Sequence, residues 1–354
     1  MDEAQARSND EAELVAAVSE AVEEVLGVPA ERVTLLPGQL GLRRFARVAL
    51  GGGPVARLVA RIEAAEDPAG RPAGVPPEPP LEPIRALLEA HGVPVPRRYG
   101  TGGRGRIELL EDLGDVDLGA AVADAPASER RALYEQACDL VPRLQRIGDP
   151  GGVEAFGRRL DSAHFAYKAD LFAAWSLAER GRPATRAETA CVRDAFAAIG
   201  RLAAEAPARL AHRDLQSANL HVVGGDRLVL IDLQGALLAP PEYDLVCLLR
   251  DSYVTLPEEE ITRLLERVRP SLPDAPDADT TARRFDLLTL TRKGKDHARF
   301  VYAARARGDS RFLAHVPATL HHLRTASRRA AARDPRFADL AELIHALPER
   351  PCAP

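Results

Sequence analysis

Between residues 210 and 254 the chain reads LAHRDLQSANLHVVGGDRLVLIDLQGALLAPPEYDLVCLLRDSYV, and this stretch limits what the rest can fold into more than any other. Three short apolar runs, RLAH, NLHVV and RLVLID, alternate with polar residues. The last two, joined by GGDR, predict a β-hairpin that carries chemically pointed side chains at its ends. His212, Asp214 and Asn219 fit HxDxxxxN, and Asp232 closes RLVLID thirteen residues after Asn219. Phosphoryl transfer needs this set: one carboxylate to receive the proton of an attacking hydroxyl, then an amide oxygen and a second carboxylate to hold magnesium on a triphosphate. Asp214 is therefore the expected general base, Asn219 and Asp232 the expected metal ligands, and His212 a brace for the loop. HxDxxxxN alone recurs by chance; an aspartate at the end of a strand, correctly placed downstream, makes the pattern specific. Asp244, opening the helix predicted from EYDLVCLLRD, is expected to hold backbone amides of the loop from a position that the helix dipole favours, the plainer reading being a helix-start charge.

With 354 residues, 46% of them hydrophobic, the chain can build two sub-domains around a sizeable core. A formal charge of -5 lacks the basic excess of nucleic-acid binders, so a small-molecule partner is expected. Cys138, Cys191, Cys247 and Cys352 are far apart and include no CxxC pair, which suggests neither a zinc site nor a disulfide framework. The acidic, polar start MDEAQARSNDEAEL is not a signal peptide, and no apolar run approaches the roughly 18 residues of a membrane span. The cytoplasm is the expected compartment, and no membrane partner is expected; the oligomeric state is not readable. Among 47 basic residues the lysines are Lys168, Lys293 and Lys295 alone.

Along the chain, Leu14, Val18, Val22, Val25 and Leu26 recur at helical spacing before Gly27, and a helix is predicted over 11–27. From 31 to 62 the period shortens: RVTLLPG, LRRFARVAL and VARLVARI predict three strands, the second pair a hairpin. The turn PGQLGLRRF, with Gly41, Arg43 and Arg44, could fold over phosphates, although most glycine turns between strands are only turns. Residues 64–80 are too rich in proline and glycine for regular structure. A helix near 81–91, a strand at VPVPRRYG and an edge strand within 106–115 follow. Leu109, Leu110 and Glu111 in that last strand are the natural contacts for an adenine ring. Beyond 115 the pattern predicts helices at 117–125, 129–147, 153–180, 185–206, 257–270, 280–306, 311–329 and 337–346. Within 153–180, His164, Tyr167, Lys168, Asp170, Phe172 and Trp175 form a stripe that reads as core or as the wall of a substrate pocket. Arg250 and Asp251 read equally as a structural pair or as ligand contacts.

Four stretches together are similar to the aminoglycoside phosphotransferase and choline kinase superfamily: LPGQLGLRRFARV, LLEDLGD, HRDLQSANL with LIDLQGALLAPPEYDLVCLLRDSYV, and FDLLTLTRKGKDHARFVYAARARGDSRFLAHVPATLHHLR. Within it the chain most resembles the bacterial N-acetylmuramate/N-acetylglucosamine 1-kinases. The resemblance implies an α+β, bilobal protein-kinase-like fold. An N-lobe over 1–112 would hold a small antiparallel sheet with a helix, and a larger, mainly helical C-lobe would cover 113–354. It implies ATP and Mg2+ as cofactors, Asp214 as base, Asn219 and Asp232 as metal ligands, Leu109–Glu111 as adenine hinge and Gln234 on the sugar side of the metal. The implied reaction moves the γ-phosphate of ATP to the C1 hydroxyl of an N-acetylated hexosamine, as in cell-wall sugar salvage. Lys168, Asp170, Trp175 and Arg250 are the candidate substrate residues. The chain departs from the family pattern in several places, among them the helical stretch 153–180, which matches poorly and is where sugar specificity would reside. No lysine precedes Lys168, so Arg61, with Arg43 and Arg44, is the expected substitute for a strand lysine, paired with Glu82 or Glu89. IDLQGA also stands where IDFQDA is common, so Gly235 replaces a carboxylate. An aminoglycoside or other hydroxyl kinase is the alternative enzyme, for which a strongly acidic pocket is expected, and a catalytically silent binding scaffold is the alternative from another class.

Overall fold

The computed structural model describes residues 3–36, 44–53, 55–63 and 79–349, and the side chains of 3–9 lie outside that description. Helix α1 (Glu3–Leu26) precedes strands β1 (Ala30–Leu35), β2 (Arg44–Leu50) and β3 (Arg57–Ile62). Helix α2 (Leu81–Ala90) and strands β4 (Arg98–Gly102) and β5 (Ile107–Glu111) follow. The five strands form one antiparallel sheet in the order β1-β2-β3-β5-β4. Val18, Ala21 and Val22 of α1 close over Ala46, Val48, Leu58, Ala60 and Leu109. At Gly102 a Cβ would stand 2.8 Å from that of Ala21, so only glycine lets α1 lie this close to β4.

Strand β5 is interior, not an edge. Strands β3 and β4 hydrogen-bond along its two edges, and Ile107 to Leu110, Glu108 included, are buried. The sheet edges are β1 and β4 instead.

Contacts divide the chain into two compact units, Met1–Pro77 with Val95–Asp115, and Glu78–Pro94 with Val116–Pro354. The segment 78–94 therefore goes with the second unit. Leu81, Ile84, Leu87 and Leu88 of α2 are buried at helical spacing, the helix packs on the 3-10 turn Leu233–Gly235, and the Leu230 amide donates to the Pro94 carbonyl (2.8 Å).

The second unit is mainly helical: α3 (Leu118–Ala123), α4 (Ala127–Gln145), α5 (Ser162–Leu171), α6 (Arg186–Ala204), α7 (Tyr243–Leu249), α8 (Glu258–Val268), α9 (Ala278–Arg307), α10 (Val316–Arg333) and α11 (Ala338–His345). Four short strands interrupt it. Strand β6 (Arg209–Ala211) pairs with β9 (Leu237–Ala239), and β7 (Leu220–Val223) forms a hairpin with β8 (Arg227–Leu230). The turn of that hairpin holds Gly224 and Gly225 at φ 69° and 95°, a conformation open to glycine at little cost.

The continuous helix predicted over 153–180 is broken. Residues 158–160 run beside β9, with Leu238 N donating to Arg158 O and Leu160 N to Leu238 O, so no helix can pass through them. Asp161 then caps α5 by accepting from the His164 amide. A π turn at Phe172–Ser176 follows, and a 3-10 turn ends at Gly181 in the left-handed conformation. The π turn sets Phe172 against Phe196 and brings Ser176 Oγ to His297 Nδ1 (2.9 Å).

Helix α9 is buried on every face from Phe285 to Ala298 save for Lys295, which is partly covered. Its middle nevertheless carries Arg292, Lys293, Asp296 and His297. Charged groups that deep must be paired or serve a ligand.

Candidate active site

The loop after β6 is built by carboxylates that accept from its amides. Asp244, in the first turn of α7, accepts from the His212 amide (2.7 Å) and the Arg213 amide (2.9 Å). That grip holds Arg213 at φ 80°, an unfavourable region for a side chain with a Cβ. Burial raises the Asp244 carboxyl, and His212 with the two amide bonds offsets only part of the effect. Asp251 does the same job further on, accepting from the Ser217 amide (2.7 Å). The buried His212 ring turns away from the loop's open side and its Nε2 donates to the Ile231 carbonyl (2.8 Å).

Asn219 ends a 3-10 turn, Ser217–Asn219, and its Nδ2 donates to the Asp214 carbonyl (2.8 Å), which aims its Oδ1 the other way. The Ile231 amide donates to the Asn219 carbonyl (3.0 Å), so the hairpin sets Asp232 beside Asn219. Asp232 lies two residues past β8 rather than within the strand, at φ 61°, and its exposed carboxylate accepts from Gln234 Nε2 (2.5 Å). One amide oxygen and one carboxylate can supply part of the shell of a hard cation that takes its other ligands from phosphate and water.

Asp214 is half-buried, and its surroundings were not foreseen. Arg292 Nη1 donates to its Oδ1 (2.5 Å), Arg292 Nη2 reaches Gln216 Oε1 (3.2 Å), and Lys295 Nζ stands 4.0 Å away. Burial would raise the Asp214 carboxyl; Arg292, then Lys295 and Arg213, outweigh it and hold the group well below the usual carboxylate range. Asp296 closes the cluster, 3.3 Å from Arg292 Nε, 2.8 Å from Lys293 Nζ and 3.7 Å from Lys295 Nζ. Asp214 is thus an ionised carboxylate held in place by Arg292. The available signal was RKGKD, which holds two of the three lysines of an arginine-rich chain.

The remaining candidates scatter. Lys168 is buried on α5, donating to Tyr243 Oη (3.1 Å) with its ammonium over the Phe165 and Tyr243 rings; burial first, then Lys295 and Arg292, push it well below the usual lysine range. Asp170 pairs with Arg193 on the surface (2.6 Å), and Trp175 meets the Tyr302 ring edge-on at 5.0 Å. Arg250 is fully buried, forked onto Glu258 and stacked over Phe285, so it is a core pair and its partner is Glu258 rather than Asp251. Of the substrate candidates, it is Gln234 that bonds to one of the three site residues, Asp232.

In the first unit, Arg61 and Glu108 face each other across β3 and β5 and bond at 2.6 Å, while Arg61 Nη2 lies 2.5 Å from Glu63. Glu82 and Glu89 both bind Arg85 within α2. The Glu111 amide donates to the Arg97 carbonyl (2.8 Å), and Leu109 and Leu110 sit in ladders on both sides. Arg44 begins β2, half-exposed and 3.8 Å from Glu11. Gly41 and Arg43 lie outside the described residues.

Known proteins bear on this arrangement. The chain is 30% identical over 272 residues to the N-acetylmuramate/N-acetylglucosamine kinase of Pseudomonas aeruginosa, covering 75% of this chain and 77% of that protein. It is 28% identical over 243 residues to the protein of the same name from Neisseria meningitidis, covering 67% and 71%. Among solved structures it is similar to the choline kinase LicA of Streptococcus pneumoniae (TM-score 0.58, 14% identity, 90% of this chain and 99% of that one). It is also similar to an ADP-bound aminoglycoside phosphotransferase, APH(2'')-Ib (TM-score 0.51, 14% identity, 90% and 93%). These two likenesses establish the α+β kinase-like fold. The model of the phosphotransferase enzyme family matches residues 45–285, from the second strand through the loop after β6 to the start of α9, and the chain belongs to that family.

Proposed function

We propose that this protein is an ATP-dependent kinase that phosphorylates the C1 hydroxyl of a free N-acetylated hexosamine of the N-acetylglucosamine or N-acetylmuramate type. The observation that carries this reading is the Asp214 carboxylate, ionised and oriented by Arg292 on a loop that also presents Asn219 and, through the hairpin, Asp232. The names of the relatives supply the sugar class.

Asn219 and Asp232 would hold Mg2+, which when bound neutralises charge on the phosphates. Asp214 orients the acceptor hydroxyl and takes its proton as the oxygen attacks the γ-phosphorus and the bond to the ADP oxygen breaks, its electron pair leaving with ADP. Gln234, bonded to Asp232, would contact the sugar. For adenine we assign the Leu109–Glu111 strand end. Cell-wall sugar salvage in the cytoplasm is the setting this activity suits, and among the described residues no helix is long and apolar enough to cross a membrane. The cations around Asp214 argue against a polycationic aminoglycoside as acceptor.

The test is ADP release with magnesium and a panel of N-acetylglucosamine, N-acetylgalactosamine, N-acetylmuramate, glucose, kanamycin and choline. Turnover of N-acetylhexosamines to a phosphate labile in mild acid supports the reading. Turnover of kanamycin or choline alone removes the substrate class, and ATP binding without turnover of any hydroxyl compound replaces the enzyme with a scaffold.

A further inference from the structure

Two of the three lysines of this chain lie in one buried cluster, and the third is within reach of its charge. Lys293 and Lys295 belong to the α9 cluster beside Asp214, and Lys168 on α5 is close enough for Lys295 and Arg292 to depress it. Everywhere else the chain uses arginine. An ammonium differs from a guanidinium in being a compact point charge with three rotatable donors. Of the three lysines, Lys168 and Lys293 are buried and already donate to Tyr243 Oη and to Ser252 Oγ and Asp296. Lys295 differs: its side chain is 12% exposed, and its nitrogen lies 4.0 Å from Asp214 Oδ1 and 3.7 Å from Asp296 Oδ1, both beyond hydrogen-bond length. Within the α9 cluster Arg292, Lys293 and Lys295 face two carboxylates, so positive charge is in excess where water has been largely excluded. An excess of this kind is costly until an anion arrives.

We propose that Lys295 is a catalytic residue whose ammonium binds an anionic oxygen delivered beside Asp214. This rests on the kinase reading above. Two oxygens of that chemistry meet there: those of the phosphoryl group in transfer, and an acidic substituent on the acceptor such as the carboxylate of N-acetylmuramate. Burial lowers Lys295 to about 8, with Arg292 adding to the fall and Asp214 and Asp296 opposing it, so the amine still carries its proton at pH 7. It donates hydrogen bonds and gives up no proton; the acceptor's proton goes to Asp214.

Two measurements test this on the full chain. In the first, Lys295→Met and Lys295→Arg are compared with the parent on N-acetylglucosamine, which is neutral, and N-acetylmuramate, which is anionic. If Lys295 holds the transferring phosphoryl group, Lys295→Met lowers kcat about 100-fold on both sugars with KM little changed, and Lys295→Arg recovers part of it. If it reads the acceptor carboxylate, KM rises about tenfold or more for N-acetylmuramate alone. Unchanged kcat and KM on both sugars overturn the proposal. The second measurement needs no turnover: acetylation of Lys295 by acetic anhydride at pH 8, quantified by mass spectrometry, with and without MgATP or each sugar. Protection by MgATP or by N-acetylmuramate is expected. Protection in a protein that phosphorylates neither sugar keeps the lysine site and removes the substrate reading, whereas equal labelling under every condition removes the lysine site.

Discussion

Two buried arginines answer the question of where this chain keeps positive charge for phosphates, and they answer it oppositely. Arg61 in the sheet faces two carboxylates, Glu108 across the ladder and Glu63 beside it. Arg292 on α9 also faces two, Asp214 and Asp296, but Lys293 and Lys295 stand with it. The first cluster is negative in sum and the second positive. A cation already matched by carboxylates is a structural pair, whereas a cation in surplus has charge left over for an anion. The surplus lies not at the strand position, where sequence reasoning places the phosphate-binding residue, but on the helix beside Asp214.

The largest effect expected is at the base itself. Asp214→Asn should lower kcat about 10²- to 10⁴-fold while leaving ATP affinity within about threefold; a kcat within tenfold of the parent would remove Asp214 from its role. Next is the arginine that orients it. Arg292→Gln leaves two carboxylates short of a partner and should destabilise by about 3 to 5 kcal/mol in urea unfolding. The same change should alter the pH-rate profile. With its pKa depressed, Asp214 stays ionised as pH falls through the ordinary carboxylate value of 3.8, so the acid limb attributable to it lies below that point. In Arg292→Gln the limb should move upward, because the largest opposing charge is gone. An unmoved limb in a folded variant would show that Arg292 does not set the ionisation of the base.

Arg61 breaks the comparison if it behaves the other way. As a cross-strand pair, Arg61→Gln should lower stability by about 3 kcal/mol and change KM for ATP less than about threefold. A tenfold rise in that KM at unchanged Tm would restore Arg61 as a phosphate ligand.

Glu242 gives the smallest effect and a control on the same logic. It is fully buried, Arg284 lies 3.5 Å away, and neither carboxyl oxygen makes a hydrogen bond among the described residues. Burial raises the group from 4.5 to about 7, with Arg284 opposing only in part. Because the folded value is the higher one, this group's contribution to stability is fully present below pH 4.5 and is lost as pH rises through 7. The loss is at most roughly 3 kcal/mol. Glu242→Gln should flatten that slope and raise stability at pH 8; a slope that persists would place the titration elsewhere.

Residues close in sequence were legible because local geometry fixes them. HRDLQSANL and LIDLQG had to fold as a loop and a hairpin, and glycines at their turn and apolar alternation in their strands left Asp214, Asn219 and Asp232 few places to go. Asp244 was legible too, since a carboxylate that opens a helix has amides to bind. The sequence by itself determined the family, the loop and hairpin that carry Asp214, Asn219 and Asp232, and the helical character of the second unit. Tertiary structure decided the rest. It placed β5 between β3 and β4, assigned α2 to the second unit, split 153–180 at Asp161 and at a π turn, and turned Arg250 into a core pair. Above all, it brought Arg292 and Lys295 to Asp214 across 78 and 81 residues of chain. Charge pairing depends on distance in space, and nothing in the local sequence of either partner states which distant residues folding will set beside it.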